Sequence, residues 1–423
     1  MTLPHCTRAA HRSCCARTED RRLADLWAWA PTACTVLVVL VLCSAARAAD
    51  WPQWRGPARN GLSSETGLNW AWGPAGPRRL WTAQVGQGFS SVAVSGGRLY
   101  TMGNDGSRDS VFCLDALTGR QIWRFSYACG PGDYEGPRAT PTVAGGRVYT
   151  LSREGEAHCL KAANGQLVWR RDLRGEMRAE PPRWGFAGSP LLAGSLVLYN
   201  VGTAGIAVNA GTGKTVWASG PRQAGYASPV PFTAGGKRGV ALFVAWGIVA
   251  VNPEDGRPLW QHPWETSFGV NAADPIFSGD QVFISSDYGR GGAVLRISGP
   301  RPQRVWENRE MKNHFNSCVL IGGSLYGNDE NTLKCVDFRT GAERWRLRGI
   351  GKGGLIAADG RLVVLSERGE LIVASATPER YQELARARIM RGECWTHPVI
   401  ANGVLYCRTR QGELAAFDLR PAR

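Results

Sequence analysis

"LDALTGRQIW", Leu114–Trp123, places an Asp ahead of a Thr-Gly turn and a Trp eight residues after that Asp. Alone it would pass for a fragment of a ligand site. It recurs as "LKAANGQLVW" (160–169), "VNAGTGKTVW" (208–217), "VNPEDGRPLW" (251–260) and "VDFRTGAERW" (336–345). A stretched copy, "LRISGPRPQRVW", spans 295–306, and a worn copy, "VASATPERY", ends on Tyr381. "FDLRPAR" at 417–423 begins another. The aromatic ends lie 46, 48, 43, 46, 39 and 36 residues apart. A period in that range signals supersecondary units arranged in a stack or a ring.

Each unit reads as four strands. In the second, "TPTV", "VYTLS", "AHCLKA" and "QLVWRRD" are separated by "AGGR", "REGE" and "ANG". Period-2 alternation with Gly-containing turns describes an antiparallel meander, and four strands is the content of a propeller blade. First strands begin near Ser90, Thr140, Ser189, Ser228, Asp274, Ser317, Gly354 and His397, giving eight units. The eighth lacks a Trp-bearing strand, and "RRLWTAQVG" (78–86) is a Trp strand without a blade. Pairing the two closes the ring and removes the open edge. The expected fold is an all-β, eight-bladed propeller over 78–423, preceded by an extension at 49–77. Its blade aromatics are Trp81, Trp123, Trp169, Trp217, Trp260, Trp306, Trp345 and Tyr381.

The motif residues have structural tasks. Gly supplies a positive-φ turn position, Asp or Asn accepts backbone N–H groups, and Trp buries a large area while needing a partner for its indole N–H. "GTGKT" (211–215) resembles a phosphate loop, but the earlier Gly such a loop requires is Val208 here.

The N-terminus reads as a targeting segment. Arg21 and Arg22 precede an uncharged run from Leu26 to Ala46, and "ARA" ends at Ala48. This is the pattern of a secretory signal cut after Ala48; retained, the run is also long enough to be a membrane anchor. Cys43 follows Leu42 rather than a small residue, so no lipid attachment is expected. Five of the 12 cysteines fall in this segment. The other seven show no C-x-x-C or Cys/His cluster, so no metal site is expected, and they read as buried thiols with at most one or two disulfides.

The formal charge is +15, and residues 1–48 contribute six Arg against three acids, leaving about +12. The arginines are scattered beside turns, with no basic run interleaved with aromatics. That argues against nucleic acid and for a solvated surface, or a weak anionic envelope partner.

The repeat A-x-D-x-x-T-G-x-x-x-W resembles the blade signature of PQQ-binding-like, quinoprotein-dehydrogenase-like β-propellers. "DWPQWRGPARNG" (50–61), "GPRATPTVAGGRVYTLSREGEAHCL" and "CWTHPVIANGVLYCR" are similar to an exported bacterial group of them. The resemblance covers roughly 50–423. Such proteins include catalytic PQQ-dependent alcohol dehydrogenases and the outer-membrane assembly factor BamB, a scaffold. It therefore implies either a periplasmic interaction propeller or an enzyme using PQQ and Ca²⁺. A catalytic member needs a sandwiched quinone, oxygen ligands for Ca²⁺ and an Asp base. Its vicinal Cys-Cys cap has no counterpart here outside Cys14-Cys15.

Loop lengths divide the two faces. Connections leaving each fourth strand are long, about 124–139, 170–188, 261–273, 307–316 and 382–396, while the turns on the other face are short. Long loops on a rigid frame carry binding. They deliver Arg138, Trp184, Tyr226, Asn271, Asp274, His314, Asn316, Lys352, Trp395 and His397 to the expected channel mouth. These residues suit either a planar or anionic ligand or a hydrogen-bonded plug. The expected role is a non-catalytic ligand-binding or protein-interaction propeller of the cell envelope. Its partner would be an envelope protein or a small-molecule or carbohydrate ligand, with membrane contact only if the N-terminal segment is kept. The alternative is a PQQ/Ca-dependent dehydrogenase of alcohols or sugars.

Overall fold

Thirty-two strands make eight separate four-stranded antiparallel sheets in the computed structural model, which describes residues 49–421. The targeting segment lies outside the described residues. Seven sheets are consecutive meanders. The eighth joins Val399–Ala401, Val404–Arg408 and Glu413–Asp418 to Arg79–Gln84 from the start of the chain. Trp81 sits opposite Ala416 there. The chain thus closes as an eight-bladed propeller.

The seams between blades explain the repeated motif. Trp123 lies opposite Cys113 on its own sheet, and a bulge follows at once. Its indole N–H crosses to the next blade and donates to Ala162 O at 3.0 Å. Trp81, Trp169, Trp217, Trp306 and Trp345 make the equivalent bond to Ala116, Ala210, Pro253, Phe338 and Thr377. The Thr-Gly turn of the receiving blade leaves room for that ring. Gly119 has φ +72°, and a Cβ there would stand 2.6 Å from Trp81. Asp115 caps the same turn, accepting the N–H groups of Leu117 and Thr118 at 3.2 and 2.8 Å. Asp, Gly and Trp therefore form one fastener shared between neighbours.

Two seams depart from the pattern. Trp260 is buried, but its indole nitrogen finds no partner, because the receiving turn is the stretched 295–306 copy. Pro300 O in that turn accepts Gln261 N instead. The second departure corrects the expectation for Tyr381. The position opposite Val373, where every other blade carries Trp, is Ala385. Tyr381 packs back on Trp345, with ring centroids 5.5 Å apart. The N-terminal extension fills the gap: Trp70 and Trp72 pack against the cluster that holds Ala385. Asn69 N donates to Leu419 O at 2.7 Å, the carbonyl a seventh indole would have met.

The extension also enters the channel. Trp51 pairs with Val94, and Asp50 accepts Ser95 Oγ–H and Gly96 N–H at the short-turn face. The chain then dips to Trp54–Arg59 and returns at Leu62, which bridges to Ala357. Arg59 is buried and donates to the carbonyls of Ser189, Pro190 and Pro229, and Arg55 reaches Cys318 O at 2.6 Å. Guanidinium forks satisfy many carbonyls at once, so two arginines tie this segment to three blades. All seven described cysteines are free and buried.

Candidate functional site

The first strands line the channel, and a belt of hydrogen bonds runs around their starts. Ser91 N donates to Thr140 Oγ1 at 3.0 Å, Thr140 N to Ser189 Oγ at 2.9 Å, and Ser189 N to Ser228 Oγ at 3.0 Å. Ser228 N then donates to Asp274 Oδ1 and Asp274 N to Ser317 Oγ, both at 2.8 Å. Gly354 breaks the belt, since a Cβ there would lie 2.7 Å from the His397 backbone. Asn316 Nδ2 bridges the gap to Gly353 O at 2.7 Å, and His397 Nδ1 donates to Leu355 O at 2.8 Å.

Above the belt, on the long-loop side, lies a cavity of about 220 Å³. Trp54 forms its floor, its indole donating to Asp274 Oδ2 at 2.7 Å. The walls are aromatic and nearly continuous. Tyr226 adjoins Trp184, Trp184 adjoins Phe268 and Phe268 adjoins Tyr288, with centroids 6.0, 6.3 and 5.8 Å apart. Tyr288, His314, Phe315, Trp395 and Phe89 follow at successive spacings of 5.3, 4.9, 5.1 and 5.8 Å. Arg138 lies over Phe89 at 5.6 Å and brings the circuit back toward Tyr226. Loops from separate blades thus build one collar.

Of the sequence-derived candidates, Arg138, Trp184, Tyr226, Asp274, His314, Asn316, Lys352 and Trp395 line this cavity. Asn271 and His397 do not, which corrects their placement. Asn271 is buried, donates to Val244 O and Trp264 O, and accepts Ser286 Oγ–H. His397 is 5% exposed, stands at the eighth belt position with its carbonyl accepting Ser91 Oγ–H, and lies edge-on to Trp54. Burial holds its imidazole down to about 3, with Arg55 adding to the effect. Sequence reasoning missed Trp54, Phe89, Tyr134, Phe268, Tyr288 and Phe315. Phe89 and Phe315 stand two residues before the belt positions Ser91 and Ser317, a signal that was present.

Most charged groups here are engaged within the protein. Arg138 donates to Gly136 O, Asp133 O and Tyr134 O, and burial lowers it to about 10. Asp274 holds Trp54, Ser228 and, at 3.9 Å, Arg55; burial still keeps its carboxyl above the ordinary range. Glu367 accepts the Trp395 indole at 2.7 Å and so orients that ring. His314 is held down to about 4 by burial and by Lys352, and stays neutral near pH 7.

A family model described as "Outer membrane protein assembly factor BamB" matches residues 107–347 and 329–423. The chain belongs to this family. Among its relatives, the outer membrane protein assembly factor BamB of Burkholderia pseudomallei is 27% identical over 372 residues, covering 81% of this chain and 88% of that one. The quinoprotein alcohol dehydrogenase PedH of Pseudomonas putida is 31% identical over 289 residues, 62% of this chain. The match spans only 47% of PedH. In fold, the chain is similar to BamB from Moraxella catarrhalis, with TM-score 0.62 at 15% identity, covering 82% of this chain and 99% of that one. It is equally similar to the quinohemoprotein alcohol dehydrogenase of Comamonas testosteroni, with TM-score 0.63 at 14% identity, covering 90% and 82%.

A quinone paired with Ca²⁺, as the dehydrogenase branch implies, does not fit the residues at the mouth. Ca²⁺ takes six to eight oxygens, commonly from several carboxylates. Asp274 is the one carboxylate lining the cavity, and it serves as a link of the belt. Among the described residues no three His, Cys, Asp or Glu side chains are grouped to hold a metal.

Proposed function

We propose that this chain is an exported, non-catalytic propeller of the cell envelope that works by binding at its aromatic mouth. The collar carries the reading. Tyr134, Phe268 and Tyr288 keep 50%, 56% and 40% of their surface in water at the rim. Exposed aromatic clusters on a rigid frame mark binding surfaces. The family and the BamB relatives support an envelope protein as partner. Export agrees with the signal-like segment that ends at Ala48.

The dehydrogenase reading draws on the PedH match. Against it stands the engagement of the Asp274 carboxylate by Trp54 and Ser228, with Arg55 at 3.9 Å.

The test is crosslinking and capture from envelope extract with the full chain and with a Phe268→Ala/Tyr288→Ala variant. The expected result is a partner retained by the parent and lost by the variant. Dye reduction by alcohols in the presence of PQQ and Ca²⁺ would overturn the reading.

A further inference from the structure

We infer that the mouth cavity binds an uncharged saccharide, with pyranose rings stacked on the collar. This rests on the mouth being the working face. Three observations narrow the ligand class.

The first is the ring circuit itself. Flat aromatic faces bind either other π-systems or the C–H faces of sugars. The second is the state of the polar groups in the wall. Thr396 is 3% exposed, lines the cavity, and its Oγ1 has no partner among the described residues. His314 Nδ1 is likewise buried without a hydrogen bond among the described residues, 3.9 Å from Asp287 Oδ2, while its Nε2 faces Tyr288 Oη at 3.3 Å. A buried polar group left unmet keeps its desolvation cost without return. An apolar or purely aromatic ligand brings nothing to a wall that holds unmet polar groups, whereas a hydroxyl-rich ligand brings donors and acceptors to it.

The third observation is charge. Arg138 and Asp274 are committed to protein groups, as described above. Arg183 packs over the Trp184 and Phe268 rings at 5.4 and 5.1 Å, and Lys352 lies in the field of Asp287, Glu330 and Glu393. The mouth is therefore close to electrically balanced and suits a neutral ligand better than a polyanion. Apolar faces joined to many neutral hydroxyls describe a sugar.

The probes are maltopentaose, cellopentaose and penta-N-acetylchitopentaose, titrated into the exported chain. Binding is followed by tryptophan fluorescence and calorimetry. At least one should bind saturably and quench emission, with less than twofold change between 50 and 500 mM NaCl. Trp184→Ala should weaken it at least tenfold, and Thr396→Val, which keeps the side-chain shape, several-fold. Silence from all three sugars overturns the inference, as does a response only to PQQ, to an aromatic peptide or to a charged uronate oligomer. If the sugars are silent while Phe268→Ala/Tyr288→Ala still loses its envelope partner, this inference fails and the proposed function stands.

Discussion

The seams and the mouth belong to the same ring and are built on opposite plans. Six of the eight seams reuse one device, an indole reaching the next blade's carbonyl, and five of those six seat the ring over a positive-φ glycine in that blade's turn. The mouth draws on one equivalent position, two residues ahead of each belt residue, but fills it differently in each blade: Phe89, Tyr226, Phe315 and Trp395 are rings, Arg138 and Lys352 are cations, and Ala187 and Ala272 are small. Repetition suits a task that is the same eight times, burying apolar area between neighbours. A binding surface needs asymmetry, and the ring obtains it from the loops on that face and from Trp54 of the extension. Seam changes should therefore act on stability and leave binding intact, and mouth changes should do the reverse.

The largest break should come at a seam. Trp123→Ala removes a buried indole and its hydrogen bond to Ala162 O, and should cost about 3–5 kcal/mol in urea unfolding. Trp184→Ala, at the mouth, should cost under about 1 kcal/mol while abolishing tight ligand binding. Gly119→Ala should come next, at about 2–4 kcal/mol, because it adds a positive-φ penalty to a clash with the Trp81 ring.

Acid should discriminate as well. His158 and His397 are both held down to about 3 by burial, from 6.5. The unfolded chain therefore takes up protons first as pH falls below 6.5. Stability contributed at neutral pH is lost on acidification, at up to about 1.4 kcal/mol per pH unit for each histidine. Urea midpoints at pH 7.5, 5.5 and 4.5 should show that slope, and His397→Asn should reduce it. The smallest effect sharpens the comparison within the seams themselves. Trp260→Phe should cost about 1 kcal/mol less than Trp123→Phe, since Trp260 has no indole bond to lose.

The propeller was legible because its seams repeat, and periodicity survives wear: the blade count and ring closure follow from Trp spacing and the orphan strand at 78–86. Ala385 was not legible. Tyr381 lies in a plausible place in a worn motif, and only the register against Val373 shows that the aromatic position is empty. At the mouth, residues just ahead of first strands could be read from that position. Asn271 and His397 share it but turn toward backbone carbonyls, a choice set by packing. Phe268 and Tyr288 lie farther from the strand starts, in loops without an internal standard. Trp54 belongs to a segment that occurs once, so nothing in the repeat announces that it forms a floor.

The entry of the extension has a consequence for orientation. Ala49 and Asp50 stand beside the Ser95–Gly97 turn, on the side away from the collar. The described chain therefore presents its N-terminal junction and its aromatic cup on opposite faces of the ring, so that the two can be occupied at once without competing for space.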